Sequence, residues 1–421
     1  MKKRLSRGEK WLFASPLLLL IVGGVLWQRH KMKLYSIEMP QNATVDVVKF
    51  SPDSKRLVVF STTTGFVGWV YDLESRTKVC NIAKPKDQSG EWDEITYDGP
   101  DWSPDGSRIA GGVFSVGGTQ SVSSVYTART ITIWDAKSGA VRINQLCQAP
   151  SYLRGEEFIH YSPDGKTLVG GGVPPAVYDA TTLKPLNKPN AAFDQGVMTY
   201  SNPKLGLAAV LNVGGNGLRV FDLKTRKVLW QTPIDEAFDY SWSGDILCVY
   251  NFSREKDPKT GQKLEGSHLL LWDGKTRQQL PSPPFSPVKA VYDYDFNADN
   301  TKLALFVNRH FVNGSITRDK GELMLWDLRA KRVLWSKPME TPLIKLAWSP
   351  DGKKLAALAE ITQSQRRLSI FDQNGQSQFE EQPVQDIAVW SGDSKQLATV
   401  VLRSEPKYKF TNTVEVHRFE D

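Results

Sequence analysis

The chain has 421 residues, of which 40% are hydrophobic and 10% aromatic, and its formal net charge is +7. This composition is that of a globular protein with ample material for a core. Residues 1–33 contain eight Lys or Arg and one acid, so the remaining 388 residues carry 45 basic and 45 acidic side chains. This balance gives no general reason to expect affinity for phosphate backbones, and we predict no nucleic-acid partner. Three scattered cysteines, Cys80, Cys147 and Cys248, exclude a disulfide framework or a zinc site.

The first predicted element is an apolar segment at the N-terminus. Residues 1–10 are basic, and the 17 residues from Trp11 to Trp27 carry no charge. As a helix this segment would span about 26 Å, slightly less than the hydrocarbon core of a bilayer. The two tryptophans bracket it as interfacial anchors do. We therefore predict a basic cytoplasmic tail over 1–10 and one transmembrane helix, an uncleaved signal anchor, over 11–27.

A cleaved signal peptide is the competing interpretation of this segment. Its apolar region is usually shorter, and no Ala-x-Ala site ends the run seen here. Five Lys or Arg precede the segment and three follow within six residues, a bias that places the N-terminus in the cytoplasm. The expected location is the cytoplasmic (inner) membrane, crossed once, with residues 33–421 on the extracytoplasmic side.

A repeated unit fills the rest of the chain. Each copy begins with an aromatic residue and a turn related to Ser-Pro-Asp-Gly, and an aliphatic residue follows at a nearly fixed distance. Ser, Pro and Gly suit the first, second and fourth positions of a type I turn, so each copy begins as strand, tight turn, strand. The eight copies start at Phe50, Trp102, Tyr161, Tyr200, Trp242, Phe296, Trp348 and Trp390.

A second motif, an aromatic residue followed by Asp, closes seven of the units. Polar turn residues and another strand follow it, which completes four strands for each unit. The aspartates are 43 to 63 residues apart, near the spacing of roughly 40–50 residues that four-stranded propeller blades show. They are Asp72, Asp135, Asp179, Asp222, Asp273, Asp327 and Asp372.

The eighth unit has His417-Arg418 at this place and too few residues after it for a fourth strand. The segment Lys33–Met39 resembles the outer strands Val228–Trp230 and Val333–Trp335. We therefore predict that it completes the last blade and closes the ring, since an open blade would leave an unpaired strand edge. The predicted fold is all-β: one eight-bladed β-propeller of four-stranded antiparallel blades over 33–421, with this Velcro closure.

These units resemble the WD-repeat and TolB-type propeller families, on the strength of the Ser-Pro-Asp-Gly turns and the aromatic-Asp pairs. The likeness implies an interaction scaffold that binds protein partners. No Gly-His pair precedes the inner strands, which is a departure from true WD repeats, and the degenerate periplasmic type fits better. A second likeness is an Asp-x7-Trp spacing at Asp222–Trp230 and Asp327–Trp335, similar to the tryptophan-docking repeats of quinoprotein propellers; an aromatic packed between blades is the simpler interpretation.

The connections between second and third strands vary in length, and all of them lie on one face. Loops on a rigid scaffold often bind partners, although drift in unconstrained loops explains variable length equally well. The long connections are basic, and we predict that a protein partner binds there. The candidate contact residues are Arg254, Lys256, Arg309, Arg318, Lys320, Arg366 and Arg403.

Acidic residues precede or lie on several inner strands, and Asp239, Asp293 and Asp295, with His160, form a candidate site at the channel mouth. These carboxylates could perform acid–base chemistry or hold Ca²⁺, but ordinary loop acids are the simpler interpretation. No pair of histidines has metal-ligand spacing, and no nucleophile elbow occurs. We therefore expect no catalytic residues, no metal and no cofactor. The alternative is a propeller that binds a small ligand or cofactor at this mouth, quinoprotein-like or hydrolase-like.

Overall fold

The computed structural model describes residues 32–40, 43–61, 68–85, 94–116, 126–147, 159–170, 176–186, 196–212, 217–225, 227–234, 237–252, 267–283, 290–308, 311–312, 315–316, 320–362, 365–385, 387–405 and 409–419. The transmembrane prediction for 11–27 lies outside these ranges. Within them, no helix is long and apolar enough to cross a membrane.

Eight antiparallel sheets follow one another along the chain, and each is one blade. The first strand of the chain is β1 (Met32–Glu38). Blades 1 to 4 consist of β2 (Val47–Phe50), β3 (Arg56–Phe60), β4 (Gly68–Asp72) and β5 (Thr77–Ile82); β6 (Glu94–Trp102), β7 (Arg108–Val116), β8 (Tyr126–Asp135) and β9 (Val141–Cys147); β10 (Ile159–Tyr161), β11 (Thr167–Gly170) and β12 (Ala176–Asp179); β13 (Gly196–Asn202), β14 (Leu207–Asn212), β15 (Leu218–Asp222) and β16 (Val228–Thr232).

Blades 5 to 8 have the same strand order, with one additional hairpin in blade 6. They consist of β17 (Ala237–Ser243), β18 (Ile246–Phe252), β19 (Ser267–Asp273) and β20 (Gln279–Leu280); β21 (Ala290–Phe296), β22 (Lys302–Asn308), the hairpin β23 (Phe311–Val312) and β24 (Ser315–Ile316), β25 (Gly321–Asp327) and β26 (Arg332–Met339); β27 (Leu343–Trp348), β28 (Lys354–Thr362), β29 (Gln365–Asp372) and β30 (Ser377–Val384); β31 (Ala388–Trp390), β32 (Gln396–Glu405) and β33 (Lys409–Phe419).

The predicted ring closure is confirmed. Strand β1 pairs antiparallel with β33 from Met32↔Phe419 to Glu38↔Thr413, and it is the fourth strand of blade 8. Ile37 and Met39 are buried in the same cluster as Leu57 of blade 1, so this strand also joins the last blade to the first. The all-β, eight-bladed prediction is thereby confirmed.

Blade 3 differs from the other blades in the part of the chain that the structure describes. Its sheet has three strands, and a single bridge between Tyr178 and Pro185 takes the place of the fourth. Leu186 donates its backbone N–H to the carbonyl of Val177 at 2.8 Å. Because proline has no N–H to donate, Pro185 interrupts the ladder that a full outer strand would make.

The Ser-Pro-Asp-Gly turns have the geometry that their sequence predicts. In blade 2 the Ser103 hydroxyl donates to Asp105 at 2.5 Å and accepts from the N–H of Arg108 at 2.9 Å. Gly106 closes the turn with its N–H bonded to the Ser103 carbonyl and with a φ of +67°. Glycine adopts this left-handed conformation at no steric cost, which accounts for its place in the motif.

Both turns of a blade lie on one face of the ring, which we call the turn face: the inner turns join strands one and two, and the outer turns join strands three and four. A backbone hydrogen bond ties the two turns together, as from Leu73 to Lys55 in blade 1 and from Leu223 to Gly206 in blade 4, both 2.8 Å. The remaining connections lie on the opposite face, which we call the hairpin face.

The core lies between neighbouring blades, because each sheet packs both faces. Phe60 and Val58 of blade 1 pack with Trp102 and Trp134 of blade 2, and the rings of Phe60 and Trp134 meet edge to face at 5.7 Å between centroids. Clusters of buried residues also lie at the other blade interfaces. The repeated aromatic residues are thus inter-blade packing residues, and their loss would open cavities between sheets.

Candidate functional site

The residue just before the repeated aromatic of an inner strand projects towards a neighbouring blade. In blade 2 this residue is Asp101: its Oδ2 accepts the backbone N–H of Tyr161 in blade 3 at 2.8 Å. Its Oδ1 receives the ammonium of Lys49 from blade 1 at 2.7 Å. Because it has partners in both neighbouring blades, Asp101 joins three successive inner strands.

Blade 6 repeats this arrangement with two carboxylates instead of one. Asp295 Oδ2 accepts the N–H of Trp348 in blade 7 at 2.7 Å, and Asp293 Oδ2 accepts the N–H of Leu346. The two residues are two apart on β21, so they point to the same side of the strand. The inner strands of blades 6 and 7 are thus joined by side chains at two successive levels of the channel.

These two carboxyls have unusual acidities for aspartate. Burial raises the pKa of Asp293 to about 7 and that of Asp295 to about 6. The exposed ammonium of Lys345, on β27, lowers both pKa values, as do the backbone N–H groups that the carboxyls accept. Burial raises the two pKa values more than these groups lower them. The charged form of a carboxyl is destabilised where most of its surface is removed from solvent.

On the blade 5 side, hydroxyl groups complete the polar lining around β21. The hydroxyls of Ser241 and Tyr294 are 2.6 Å apart, and Ser243 donates to Asp295 Oδ1 at 3.3 Å. Cys248 is buried behind Tyr294, and burial strongly raises the pKa of its thiol. The arrangement can accept and hold protons near neutral pH, since Asp293 titrates there.

The four predicted mouth residues do not all meet. Asp293 and Asp295 share β21, whereas His160 lies on β10 of blade 3, paired with Val169, three blades away around the ring. Asp239 lies on β17 of the neighbouring blade 5, opposite Tyr250, and its side chain is outside the described part of the structure. The structure therefore brings Asp293 and Asp295 together on β21 and places His160 three blades away from them.

The predicted contact residues of the hairpin face have mixed placements. Lys320 is exposed and forms an ion pair with the exposed Glu340. Arg403 lies on β32 opposite Thr411, with its side chain outside what the structure describes. Four of the predicted contacts, Arg254, Lys256, Arg309 and Arg318, lie outside the described residues altogether.

Arg366 does not lie where the sequence predicted. It is 7% exposed, and its Nη1 donates to the carbonyl of Thr362 at 2.6 Å, within the same hairpin. On β29 it pairs with Glu360 across the ladder. The sequence predicts a solvent-exposed connection at Arg366, but β28 and β29 continue beyond the blade, and neighbouring side chains on such a strand point to opposite faces, so that Arg366 points inward.

In one of the two Asp-x7-Trp units the tryptophan contacts the next blade, as in a tryptophan-docking repeat. The indole of Trp335, on the outer strand of blade 6, donates its Nε1–H to the carbonyl of Gln373 in blade 7 at 2.9 Å. Its ring lies against Gly375, where an added Cβ would come within 2.8 Å of the indole. Trp230 of the other unit packs in the cluster between blades 4 and 5. Both tryptophans therefore pack between blades, as the simpler interpretation holds.

Sequence reasoning did not identify Lys49, Asp101 or Lys345 as channel residues. Each lies one or three residues before the repeated aromatic, at the positions that Asp295 and Asp293 occupy in their own blade. Alignment of the eight units on their aromatics would have shown that the residue directly before the aromatic is polar in six blades. Among the described residues, no group of three or more His, Cys, Asp or Glu is placed to hold a metal ion.

Comparison with known proteins identifies the fold. No protein-family model matches the chain, and no curated protein sequence is significantly similar to it. Many solved structures are similar to the chain in fold, among them the following two. The C-terminal WD40 domain of Sif2 aligns with a TM-score of 0.58 and 13% identity, over 92% of this chain and 99% of that one. A structure of the eukaryotic initiation factor aligns with a TM-score of 0.55 and 15% identity, over 90% of this chain and 87% of that one. The chain thus has the propeller fold of WD40 domains.

Proposed function

We propose that this chain is a membrane-anchored interaction scaffold of the TolB-like kind, whose propeller lies on the extracytoplasmic side and binds a protein partner through its hairpin face. One observation carries the scaffold assignment: strand pairs project beyond their blades on this face and on successive blades. Such ribbons, set on a rigid ring, present backbone and side chains to a partner while the blade interfaces stay intact.

Among the residues that the structure describes, the longest projection is in blade 8. The β32–β33 ladder continues to Glu405↔Lys409, whereas the flanking strands end earlier, with Glu38↔Thr413 on one side and Ala388↔Thr399 on the other. Within the described part of the sheet, the pairs from Arg403↔Thr411 onward therefore form a two-stranded ribbon without lateral partner strands. Unpaired edges of this kind are available for strand addition by another chain.

Blades 7 and 6 carry related features next to it. In blade 7 the β28–β29 ladder extends to Thr362↔Gln365, past the last inner pair, Leu343↔Ala359. In blade 6 the separate hairpin β23–β24 lies within the connection between β22 and β25. Three consecutive blades thus present hairpins on one sector of the ring, and we place the partner surface there.

The membrane anchor is supported by the sequence of residues 11–27 and by its position directly ahead of β1. A tether at this point leaves the ring closed, because the closure strand itself follows the tether. The basic flank favours the extracytoplasmic location for the propeller.

A ligand-binding channel is the second candidate function. The observation that favours it is the pair Asp293 and Asp295, whose pKa values of about 7 and 6 allow proton exchange near neutral pH. Raised carboxyl pKa values are typical of functional sites, although cross-blade structural bonds produce them as well.

Affinity capture from the native membrane separates the two functions. The variant with Arg254, Arg318 and Arg403 changed to Glu should lose its partner, because opposed charges at an interface cost more than lost contacts. The variant Asp293→Asn with Asp295→Asn should keep it. If only the channel variant loses its partner or its cellular phenotype, the scaffold assignment is wrong. Fractionation of the same membranes tests the anchor independently.

A further inference from the structure

Arg219 is a half-buried cation on β15, the third strand of blade 4. Its Nε and Nη2 atoms are shielded from solvent and have no hydrogen-bond acceptor within the described structure. The guanidinium lies over the ring of Phe221, with Cζ 5.7 Å from the ring centroid. A cation–π contact satisfies neither N–H group, and a buried donor without an acceptor is costly, more so on a charged group. A bound anion would stabilise this arrangement.

Two other half-buried arginines, Arg56 and Arg108, have acceptors in the next blade. Arg56 donates from Nη2 to the carbonyl of Gly106 at 2.7 Å, and Arg108 donates from Nη1 to the carbonyl of Ala180 at 2.8 Å. Both arginines thus link one blade to the following one. Arg219 forms no link of this kind in the part of the chain that the structure describes, so a structural role between blades does not account for its charge.

The aspartates that end β12 and β15 are bonded to their own turns. Asp179 accepts the N–H of Thr182 at 2.8 Å, and Asp222 accepts the N–H and the hydroxyl of Thr225 at 2.5 and 2.8 Å. The strands around Arg219, which are β11, β12, β14 and β16, contain no other acid and no Lys or Arg. These strands therefore surround one isolated positive charge.

Arg219 faces blade 3, across a sparsely packed interface. Phe221 is paired with Ala208, which packs on Val169 of blade 3, and residues two apart on a strand share a face. Among the described residues of blade 3, Val169 alone is fully buried in this cluster, whereas blade 7 contributes seven buried residues to its cluster with blade 6. The side of blade 4 that carries Arg219 is thus lightly covered by the described part of blade 3.

The outer part of this interface lacks an aromatic that the next interface has. There, Trp230 from the outer strand of blade 4 packs in one cluster with Leu270 of blade 5, which stands two residues before the closing aromatic, as Arg219 does. In blade 3 the described outer segment ends at Leu186, which is 57% exposed, and residues 183–190 contain no aromatic. Together with the partial exposure of Arg219, this leaves the site open to the side of the ring.

We propose that Arg219 binds a carboxylate at the interface of blades 3 and 4. The Nε–H and one Nη2–H of a guanidinium point in the same direction and match the two oxygens of a carboxylate, so one bidentate ligand satisfies both donors. One cation balances the single charge of a carboxylate, whereas a phosphate group brings close to two. The site is separate from the hairpin face and does not depend on the membrane anchor.

Proton–nitrogen NMR of the full chain with isotope-labelled arginine tests the site directly. The Nε–H signal of Arg219 is the one that disappears in Arg219→Lys. It should move in a saturable way when sodium acetate is added, and it should stay in place in sodium chloride at the same ionic strength. The Nε–H signal of Arg108 is the internal control and should not move, because that guanidinium already bonds to carbonyl groups.

A second probe distinguishes a free organic acid from an acidic side chain of a bound protein. The peptide acetyl-Thr-Val-Glu-Val-Thr-amide presents the carboxylate on an extended chain, and its Gln counterpart should bind about tenfold more weakly. Tighter binding of the Glu peptide than of acetate assigns the carboxylate to a protein partner. Equal or weaker binding of the peptide assigns it to a free acid.

Thermal melting of Arg219→Leu gives an independent measurement. Since an unpaired buried cation destabilises the unliganded chain, this variant should melt about 1 °C or more above wild type in chloride. The matched control Arg108→Leu should melt below wild type, because it removes the bonds to Ala180 and Gly165. In acetate the gap between Arg219→Leu and wild type should narrow, because only wild type binds the ion.

Three results overturn the site. The first is an Arg219 signal that neither acetate nor the Glu peptide moves. The second is a signal that chloride moves as acetate does, or that inorganic phosphate moves at lower concentration, since the ligand is then not a carboxylate. The third is a melting temperature of Arg219→Leu below that of wild type in chloride, which would make the guanidinium a stabilising part of the interface.

Discussion

Asp295 accepts the backbone N–H of Trp348 at 2.7 Å, so a carboxylate of blade 6 occupies the place beside blade 7 that a neighbouring strand would take in a continuous sheet. The same relationship joins Asp101 to Tyr161 between blades 2 and 3. Blades 2 and 6 lie opposite one another in a ring of eight. The inner strands are therefore joined by side-chain carboxylates on both sides of the channel, in addition to the hydrophobic packing between blades.

Asp295→Ala should destabilise the ring by about 1–3 kcal/mol, because it leaves the N–H of Trp348 without this acceptor. Asp295→Asn, which keeps an acceptor oxygen, should cost less. Chemical denaturation measures the stability, and amide hydrogen exchange at Trp348 gives the local readout. If the Trp348 amide exchanges no faster in the Ala variant than in wild type, the bond does not protect it.

Stability should fall as the pH rises from 4 to 8, in part because of Asp293 and Asp295. Their folded pKa values, about 7 and about 6, lie above the ordinary value of 3.8, so the folded protein holds these protons more tightly than the unfolded chain does. The contribution is complete below pH 4 and is lost as the pH passes through 6 and 7. Thermal melting of Asp293→Asn with Asp295→Asn should show a shallower decline than wild type.

Asp105→Asn is the matched control for this pH series. Hydrogen bonds from Ser103 and Ser107 lower the pKa of Asp105 to about 2, so its contribution is present above pH 4 and is lost only in acid. Its difference from wild type should stay constant between pH 5 and 8. A parallel decline in wild type and in the channel variant would show that the two carboxyls titrate normally.

Gly375→Ala should destabilise more than Gly206→Ala. Both glycines have positive φ, +75° and +65°, which costs a side chain about 1–2 kcal/mol. A Cβ at Gly206 meets nothing within 4 Å, whereas one at Gly375 overlaps the indole of Trp335. Denaturation of both variants in wild-type and Trp335→Ala backgrounds isolates the overlap, which should disappear without the indole. Equal costs for Gly375→Ala in the two backgrounds would contradict the packing of Trp335 against this turn.

Deletion of residues 1–40 should lower the melting temperature of the soluble propeller, whereas deletion of residues 1–30 should not, because only the longer deletion removes β1. The variant Ile37→Ala tests the same strand without truncation and should cost about 2–5 kcal/mol, since Ile37 is buried at the junction of blades 8 and 1. Equal melting midpoints for the two deletions would mean that the pairing of β1 with β33 contributes nothing to the closed ring.

Much of the fold could be predicted because its determinants are local or periodic. The Ser103–Gly106 turn depends on the φ preferences of its own residues, and the eight repeats place each aromatic at a blade interface. The pairing of Lys33–Met39 with the last blade was predictable from a missing strand, although hundreds of residues separate the partners. Pro185, which interrupts the fourth strand of blade 3, is visible in the sequence as a residue with no N–H to donate to a ladder.

The candidate site was less predictable, because it depends on contacts between blades. The sequence places Asp293 and Asp295 on an inner strand, but it does not show that their oxygens meet the N–H groups of Leu346 and Trp348. Burial of Arg366 likewise follows from how far β28 and β29 extend, which the loop length alone does not determine. Acidity set by desolvation is a property of the assembled ring and is absent from any single repeat.

The pairing of Tyr35 with Val416 constrains the order of events during synthesis. A ribosome makes β1 first and its partner strand β33 almost 380 residues later, so the edge that β1 will occupy does not exist until nearly the whole chain has been made. The seven other blades can form in sequence while β1 waits. Ring closure is then a single late step that joins the earliest and latest parts of the chain, and any stalled or truncated product would present blade 1 with no neighbour on that side.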